Sequence, residues 1–199
     1  MIKHKIVCVG CGGIGSVLAS QLNFLVMTDQ IDLSQTEIIL ADHDNVEIKN
    51  IKYQLFNTKD ILKNKAKVLG DRYSLAYRQY KVTGKELGEL KPTIILICVD
   101  NSETRKIVYD YCSKNDCYYI DGRAEGRAVA IFTKHPENTK ERMDRSLDMS
   151  RGDASCQLEK DLASGKMERG NFIVAMIMSQ LLLNYLRGEK NLPMYNYHF

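Results

Sequence analysis

The sequence contains no basic block. Its 28 lysines and arginines and 25 acidic residues are scattered along 199 positions to a net charge of +3, which argues against a surface built for nucleic-acid or membrane phosphates. Residues 1–10 hold no leader-like apolar stretch: Lys3 and Lys5 flank His4 and run directly into a strand-like segment. No signal peptide is expected, and a cytoplasmic location is. Internal repeats and low-complexity tracts are absent. The most apolar stretch, 171–187 (NFIVAMIMSQLLLNYLR), is interrupted by Asn171, Ser179, Gln180, Asn184 and Arg187 and is short for a bilayer, so it reads as a buried packing helix. The six cysteines, Cys8, Cys11, Cys98, Cys112, Cys117 and Cys156, are too dispersed for a disulfide scaffold and read as reduced thiols. Cys8 and Cys11 have zinc-ligand spacing, but no matching second pair follows, and zinc is not expected.

What the chain does have is alternation. Apolar, β-branched runs at 5–9, 37–41, 94–99 and 127–132 are separated by helix-compatible stretches at 14–28, 59–76 and 102–114. That order predicts a Rossmann-like α/β fold, a mostly parallel sheet flanked by helices. Residues 134–155 (KHPENTKERMDRSLDMSRGDAS) are polar and of mixed charge, and predict a long crossover loop. With 44% hydrophobic composition over 199 residues, one domain spanning 1–199 is expected.

Gly10, Gly12 and Gly15 take the GxGxxG spacing, with Gly13 between them, directly after the first apolar run and at the mouth of a helix. Gly10 permits the tight turn, Gly12 lets a ligand approach the backbone, and Gly15 lets helix and strand pack closely, leaving helix N–H groups free for a phosphate. A glycine turn that merely packs a helix on a sheet is the alternative. Asp42 ends the second strand and can accept ribose hydroxyls; it lies 27 residues after Gly15, whereas a dinucleotide oxidoreductase places that acid about 20 residues past its glycines. Asp100 and Asn101 end the strand TIILICVDN, at the crevice where α/β sheets bind ligands. The hard oxygens of Asp100 suit Mg²⁺. Asp100 could instead cap the helix that starts at Ser102, and both roles can hold together if Asn101 or Ser102 caps and Asp100 turns toward the ligand. Arg105 is expected to pack or pair locally, His43 to point away from the site, and Cys8, Cys98 and Cys112 to be structural.

Taken in order, GCGGIGS, DHDNVEIKNIKYQLFNTKDILKNKAKVL and CVDN resemble the motifs of the ThiF family, the ubiquitin-activating-like adenylyltransferases, in a compact form without paired zinc knuckles. Asp42, Asp44, Asn50, Gln54, Asp60, Lys65 and Ala66 fall into the family's pattern. The resemblance implies an enzyme that uses ATP and Mg²⁺ to adenylate the C-terminal carboxylate of a ubiquitin-like or sulfur-carrier protein, working as a homodimer. It implies nucleotide contacts from Gly10, Gly12, Gly13, Gly15, Asp42, Asp44, Asn50, Gln54, Lys65 and Asn101, metal at Asp100, and catalytic roles for Asp100, Lys65 and Cys156, the last as a thioester-forming thiol. Two positions depart from the pattern. Tyr53 stands where a phosphate-binding Arg is expected and cannot supply a guanidinium's charge or fork, so Lys49, Lys52, Lys63 or an Arg from a partner subunit would have to compensate. Lys63 is taken to replace a loop glycine. Two other readings stay open: an NAD(P)-dependent oxidoreductase, and a non-catalytic binder of a ubiquitin-like partner.

Overall fold

A computed structural model describes residues 2–148 and 169–199. Its centre is a seven-stranded sheet of order β3-β2-β1-β4-β5-β6-β7. The strands are β1 (His4–Val9), β2 (Thr36–Ala41), β3 (Ala76–Arg78), β4 (Ile94–Ile97), β5 (Tyr118–Glu125), β6 (Ala128–Thr133) and β7 (Met194–His198). The first five run parallel, and β6 and β7 are added antiparallel. The mostly parallel α/β architecture expected from the apolar runs is therefore present.

The four-residue apolar core of each central strand is buried on both sides, as a sheet covered by helices on both faces requires. Side chains alternate between the faces. Ile6, Cys8, Ile38, Leu40, Ile94 and Leu96 point to one core, and Val7, Val9, Ile39, Ala41, Ile95 and Ile97 to the other. Helices α1 (Gly13–Met27), α2 (Lys65–Tyr73) and α6 (Gly170–Leu186) cover the first face; α3 (Gly84–Leu90), α4 (Ser102–Lys114) and α5 (Lys140–Asp148) cover the second. The register aligns Cys8 with Leu40 on one side and with Leu96 on the other, which brings the C-terminal ends of β2, β1 and β4 to one rim.

Helix α6 is the packing helix expected from 171–187. It buries Val174, Ala175, Met178, Leu181 and Leu182 and lies so close on β5 that a Cβ at Gly122 would come 2.3 Å from Met178 Sδ. Among the described residues no helix is long and apolar enough to cross a membrane.

Three expectations are corrected. The helix expected over 59–76 forms only over Lys65–Tyr73. Asn64 caps it by accepting from the Lys67 N–H at 3.0 Å, Ser74 ends it with a left-handed φ of 56°, and Ala76 already belongs to β3. The stretch 134–155, expected as a loop, contains α5 as far as it is described. Thr139 Oγ1 accepts from the Arg142 N–H, and Met143 and Leu147, one helical turn apart, are buried against the second core. Finally, the sharp turn before α2 is made by Leu62, with φ 66°. The left-handed backbone that a glycine would serve best thus falls on Leu62 and not on Lys63.

Candidate functional site

The rim formed by β2, β1 and β4 opens into a cleft lined by Gly10, Gly12, Gly13, Asp42, Asp44, Gln54, Lys65, Asp100 and Asn101, nine of the residues anticipated from sequence. The order β2-β1-β4 makes this the point where connections leave β1 and β4 toward opposite faces, the crevice at which open α/β sheets bind ligands.

Gly10 adopts φ 93°, and a Cβ there would meet the Cys98 carbonyl oxygen at 2.8 Å. Gly12 is different: its Cβ would find no atom nearer than Gln54 Nε2 at 3.9 Å, so its missing side chain leaves room on the ligand side. Gly15 does not line the cleft. A Cβ on it would lie 1.9 Å from the Gly10 carbonyl oxygen, so its role is to let α1 pack on the turn. The first turn of α1 carries no acidic residue, which leaves the positive end of its dipole facing the cleft.

Asp42 is buried, and both carboxylate oxygens are already engaged: Oδ2 accepts from the Cys11 N–H at 2.6 Å and Oδ1 from the Asp44 N–H at 2.8 Å. Burial raises its pKa, opposed by these two backbone donors and by Lys65. Each carboxylate oxygen keeps a second lone pair for a donor such as a hydroxyl. Lys65, the first residue of α2, is 7% exposed, and its Nζ lies 3.1 Å from Asp44 Oδ2. Burying that ammonium is tolerable because the half-exposed Asp44 compensates it.

At the end of β4, Asn101 Oδ1 accepts from the Thr104 N–H at 2.9 Å and caps α4. Asp100 is left exposed at the cleft with no partner among the described residues. The cap and the free carboxylate are divided between the two neighbours. Arg105 does pair locally, with Asp121.

Other anticipated residues lie elsewhere. Asn50 is buried away from the cleft, where its Oδ1 accepts from the Glu47 N–H at 2.8 Å and closes a turn. Lys49, Lys52 and Lys63 do not line the cleft, and Lys49 is held by Glu47 at 2.9 Å. Tyr53 does line it. So does His43, contrary to expectation, with Nε2 3.5 Å from Asp44 Oδ1. The ligand atoms of Asp42, His43 and Asp44 lie within 4.8 Å of one another; Asp100 stands outside that trio. Cys156 lies outside the described residues.

Sequence reading missed Tyr80, Lys81, Val82 and Thr104, which complete the wall. Lys81, at 2.9 Å from Glu103, is the cation that the loop after β3 brings to the cleft. It carries no motif signal, because its place depends on β3 pairing with β2. Asn171 was also missed. It is 1% exposed, neither side-chain polar atom has a partner among the described residues, and it packs on Gly13 so closely that a Cβ there would come within 2.5 Å of its Nδ2.

The sequence matches the ThiF family over residues 2–199. The chain belongs to the ThiF family. ThiF-like architecture extends to solved structures of low sequence identity. The crystal structure of E. coli MccB with AMPCPP and MccA has a TM-score of 0.68 at 16% identity, with 98% of this chain and 63% of that one covered. PaaA gives 0.69 at 15% identity over 99% and 61%. E. coli MccB with ATP gives 0.65 at 17% identity over 98% and 63%. The chain spans 61–63% of the length of these proteins. No curated protein matches the sequence. Membership in the ThiF family bears out the resemblance drawn from the glycine turn, the acid-rich second strand end and the CVDN motif.

Proposed function

We propose that this ThiF-family chain, residues 1–199 acting as one adenylation domain, binds ATP in the cleft and adenylates the C-terminal carboxylate of a peptide or of a ubiquitin-like or sulfur-carrier protein. The observation that carries this reading is the buried Lys65 ammonium, which stands with the free Asp100 carboxylate and the N-terminus of α1 around one cleft. A nucleotide seated with its ribose toward Asp42 would extend its phosphates between these groups. A hydride-transfer enzyme could use the cation on its dinucleotide phosphates but has no need of a free acid beside them. The fit is supported by Gln54, which lines the cleft and whose buried Oε1 has no partner among the described residues, and by the open space over Gly12.

In the reaction, a carboxylate oxygen of the partner bonds to the α-phosphorus of ATP. The bond from that phosphorus to the oxygen bridging to the β-phosphate breaks, and pyrophosphate leaves with the electron pair. The chain's task is to hold the reactants in line and stabilise the spread of negative charge. Lys65 would exchange Asp44 for phosphate oxygens, and the first-turn N–H groups of α1 would donate to them. Lys81 brings a further positive charge to a cleft in which Tyr53 supplies none. Mg²⁺, held by Asp100, would neutralise phosphate charge. MccB crystallises with ATP, AMPCPP and MccA, which is consistent with the same chemistry here. A homodimer would allow a second copy to supply the missing guanidinium opposite Tyr53.

Calorimetric melting tests the reading. ATP with Mg²⁺ should raise the melting temperature and NADH should leave it unchanged, since only a ligand of the native state stabilises. The reverse result would favour the oxidoreductase.

A further inference from the structure

Asp121 is fully buried in the middle of β5, and it is the centre of a charged network that the adenylation cleft does not include. Its Oδ1 accepts from Arg105 Nε at 3.1 Å and its Oδ2 from Arg123 Nε at 2.8 Å, with the Tyr109 hydroxyl donating to the same Oδ2. Both arginines have a second task. Arg105 donates to the carbonyl of Val99, the residue before Asp100, and to the Gly122 carbonyl at 3.3 Å. Arg123 reaches out to α5, donating to the Ser146 carbonyl at 3.2 Å and the Ser146 hydroxyl at 3.1 Å, while its guanidinium lies 4.4 Å from the Phe132 ring centre.

A buried ion network of this kind adds little to stability over an apolar replacement, because desolvation offsets the attraction. What it does provide is fixed geometry. A guanidinium has a rigid fork of donors, so a carboxylate that holds two of them sets the direction in which each one's remaining N–H groups point. Here one set points at the backbone carrying Asp100, and the other at the helix that leads into residues 149–168.

We propose that Asp121 is a positioning residue for the metal-facing end of β4: through Arg105 it fixes the Val99 carbonyl that precedes Asp100, and through Arg123 it fixes α5. The seating of α5 and the orientation of Asp100 are thereby one coupled event. The inference rests on the adenylation reading, in which Asp100 holds Mg²⁺, and extends it to a helix that does not touch the cleft.

The test uses the full chain with ATP and Mg²⁺ as probes. Arg123→Lys keeps the charge beside Asp121 but loses the fork to Ser146, and Ser146→Ala removes only the hydroxyl on α5. For each, the Mg²⁺ concentration that half-saturates the metal-dependent gain in ATP affinity is compared with the ATP affinity in EDTA and with the urea midpoint. Arg123→Lys should raise the Mg²⁺ requirement about tenfold, the loss typical of a disturbed outer shell around a metal ligand, with ATP affinity in EDTA unchanged. Ser146→Ala should shift it in the same direction by less. A folded Arg123→Lys with the wild-type Mg²⁺ requirement overturns the proposal, as does a loss that falls equally on both affinities. If Arg123→Lys does not fold, a wild-type Mg²⁺ requirement in Ser146→Ala overturns it instead. A wild-type chain that binds ATP with no dependence on Mg²⁺ would remove the metal role of Asp100 itself, and is thus told apart from failure of the coupling.

Discussion

Lys65 Nζ lies 3.1 Å from Asp44 Oδ2, joining the first residue of α2 to the acidic segment after β2 across the mouth of the cleft. Lys65 is buried and Asp44 half exposed, so the pair is held by the lysine's need for a counter-charge. A phosphate could meet that need as well.

The consequence for Lys65→Met is a separation of stability from binding. Removing the ammonium also removes the cost of burying it, and the half-exposed Asp44 left behind is solvated and not a buried unpaired charge, so the urea midpoint should stay close to that of the wild type. A hydrogen bond to a charged group is worth about 1.5–3 kcal/mol, so ATP–Mg²⁺ affinity, measured by titration calorimetry, should fall roughly 10- to 100-fold. A variant that binds ATP as the wild type does would place Lys65 outside the phosphate site.

The three motif glycines should respond differently to alanine. At Gly15 the new Cβ would lie 1.9 Å from the Gly10 carbonyl oxygen, and at Gly10 the backbone sits at φ 93° with the Cys98 carbonyl oxygen 2.8 Å from the Cβ. Backbone atoms cannot swing aside, so both substitutions should cost more than about 2 kcal/mol, on the scale of overpacking and left-handed strain. Gly12→Ala meets nothing nearer than 3.9 Å and should fold normally, yet lose nucleotide affinity because the methyl occupies ligand space. Chemical denaturation alongside ATP titration distinguishes the two outcomes.

The contrast between these glycines also marks how far the sequence could be read. The units β1-α1-β2 and β4-α4 were legible because their apolar runs are uninterrupted and their glycine and Asx residues sit at the element boundaries. Strand β5 was not, because Asp121 and Arg123 break its pattern. Those charges are satisfied by each other, by Arg105 and Tyr109 from α4 and by Ser146 from α5, a largely tertiary arrangement without local signature. Helix α5 was hidden for a related reason, since Met143 and Leu147 are its only buried apolar anchors in a polar run. Within the site, residues of the motifs could be placed by strand ends, whereas Lys81 and Asn171 arrive through β3 pairing and α6 docking.

Acid should reveal the Asp121 network. Burial pushes its carboxyl upward, and the Arg105 and Arg123 guanidiniums more than reverse that, leaving it below the usual carboxylate range. A depressed carboxylate pKa contributes stability that is fully present above the ordinary value of about 4 and is lost as pH falls through the depressed value. Asp121→Asn should therefore cost about 3–5 kcal/mol near neutrality, the penalty for leaving buried charge uncompensated. The gap between the urea midpoints of variant and wild type should be constant above pH about 5 and shrink below pH about 4. A gap that does not change with pH would mean that the carboxylate charge is not what the arginines require.

The last prediction concerns thiol reactivity. Cys8, Cys11, Cys98, Cys112 and Cys117 are free and buried. Burial raises the Cys11 and Cys98 thiols well above their ordinary value, and contact with Cys117 together with burial does the same at Cys112. The thiolate is the nucleophile, so these cysteines should resist iodoacetamide in the native protein. Cys156 is the remaining thiol in the sequence. If it carries a thioester step, it should be the fast-labelling cysteine, and Cys156→Ala should leave the native protein almost unlabelled until it is denatured. The same variant should still convert ATP and a carboxylate partner to acyl-adenylate, because that step needs no thiol, while losing any adduct that a reducing thiol can release. Mass spectrometry of labelled peptides and of the reaction mixture reads both. Retention of the adduct in Cys156→Ala, or faster labelling at another cysteine, would remove the covalent role and leave adenylation as the activity of the cleft.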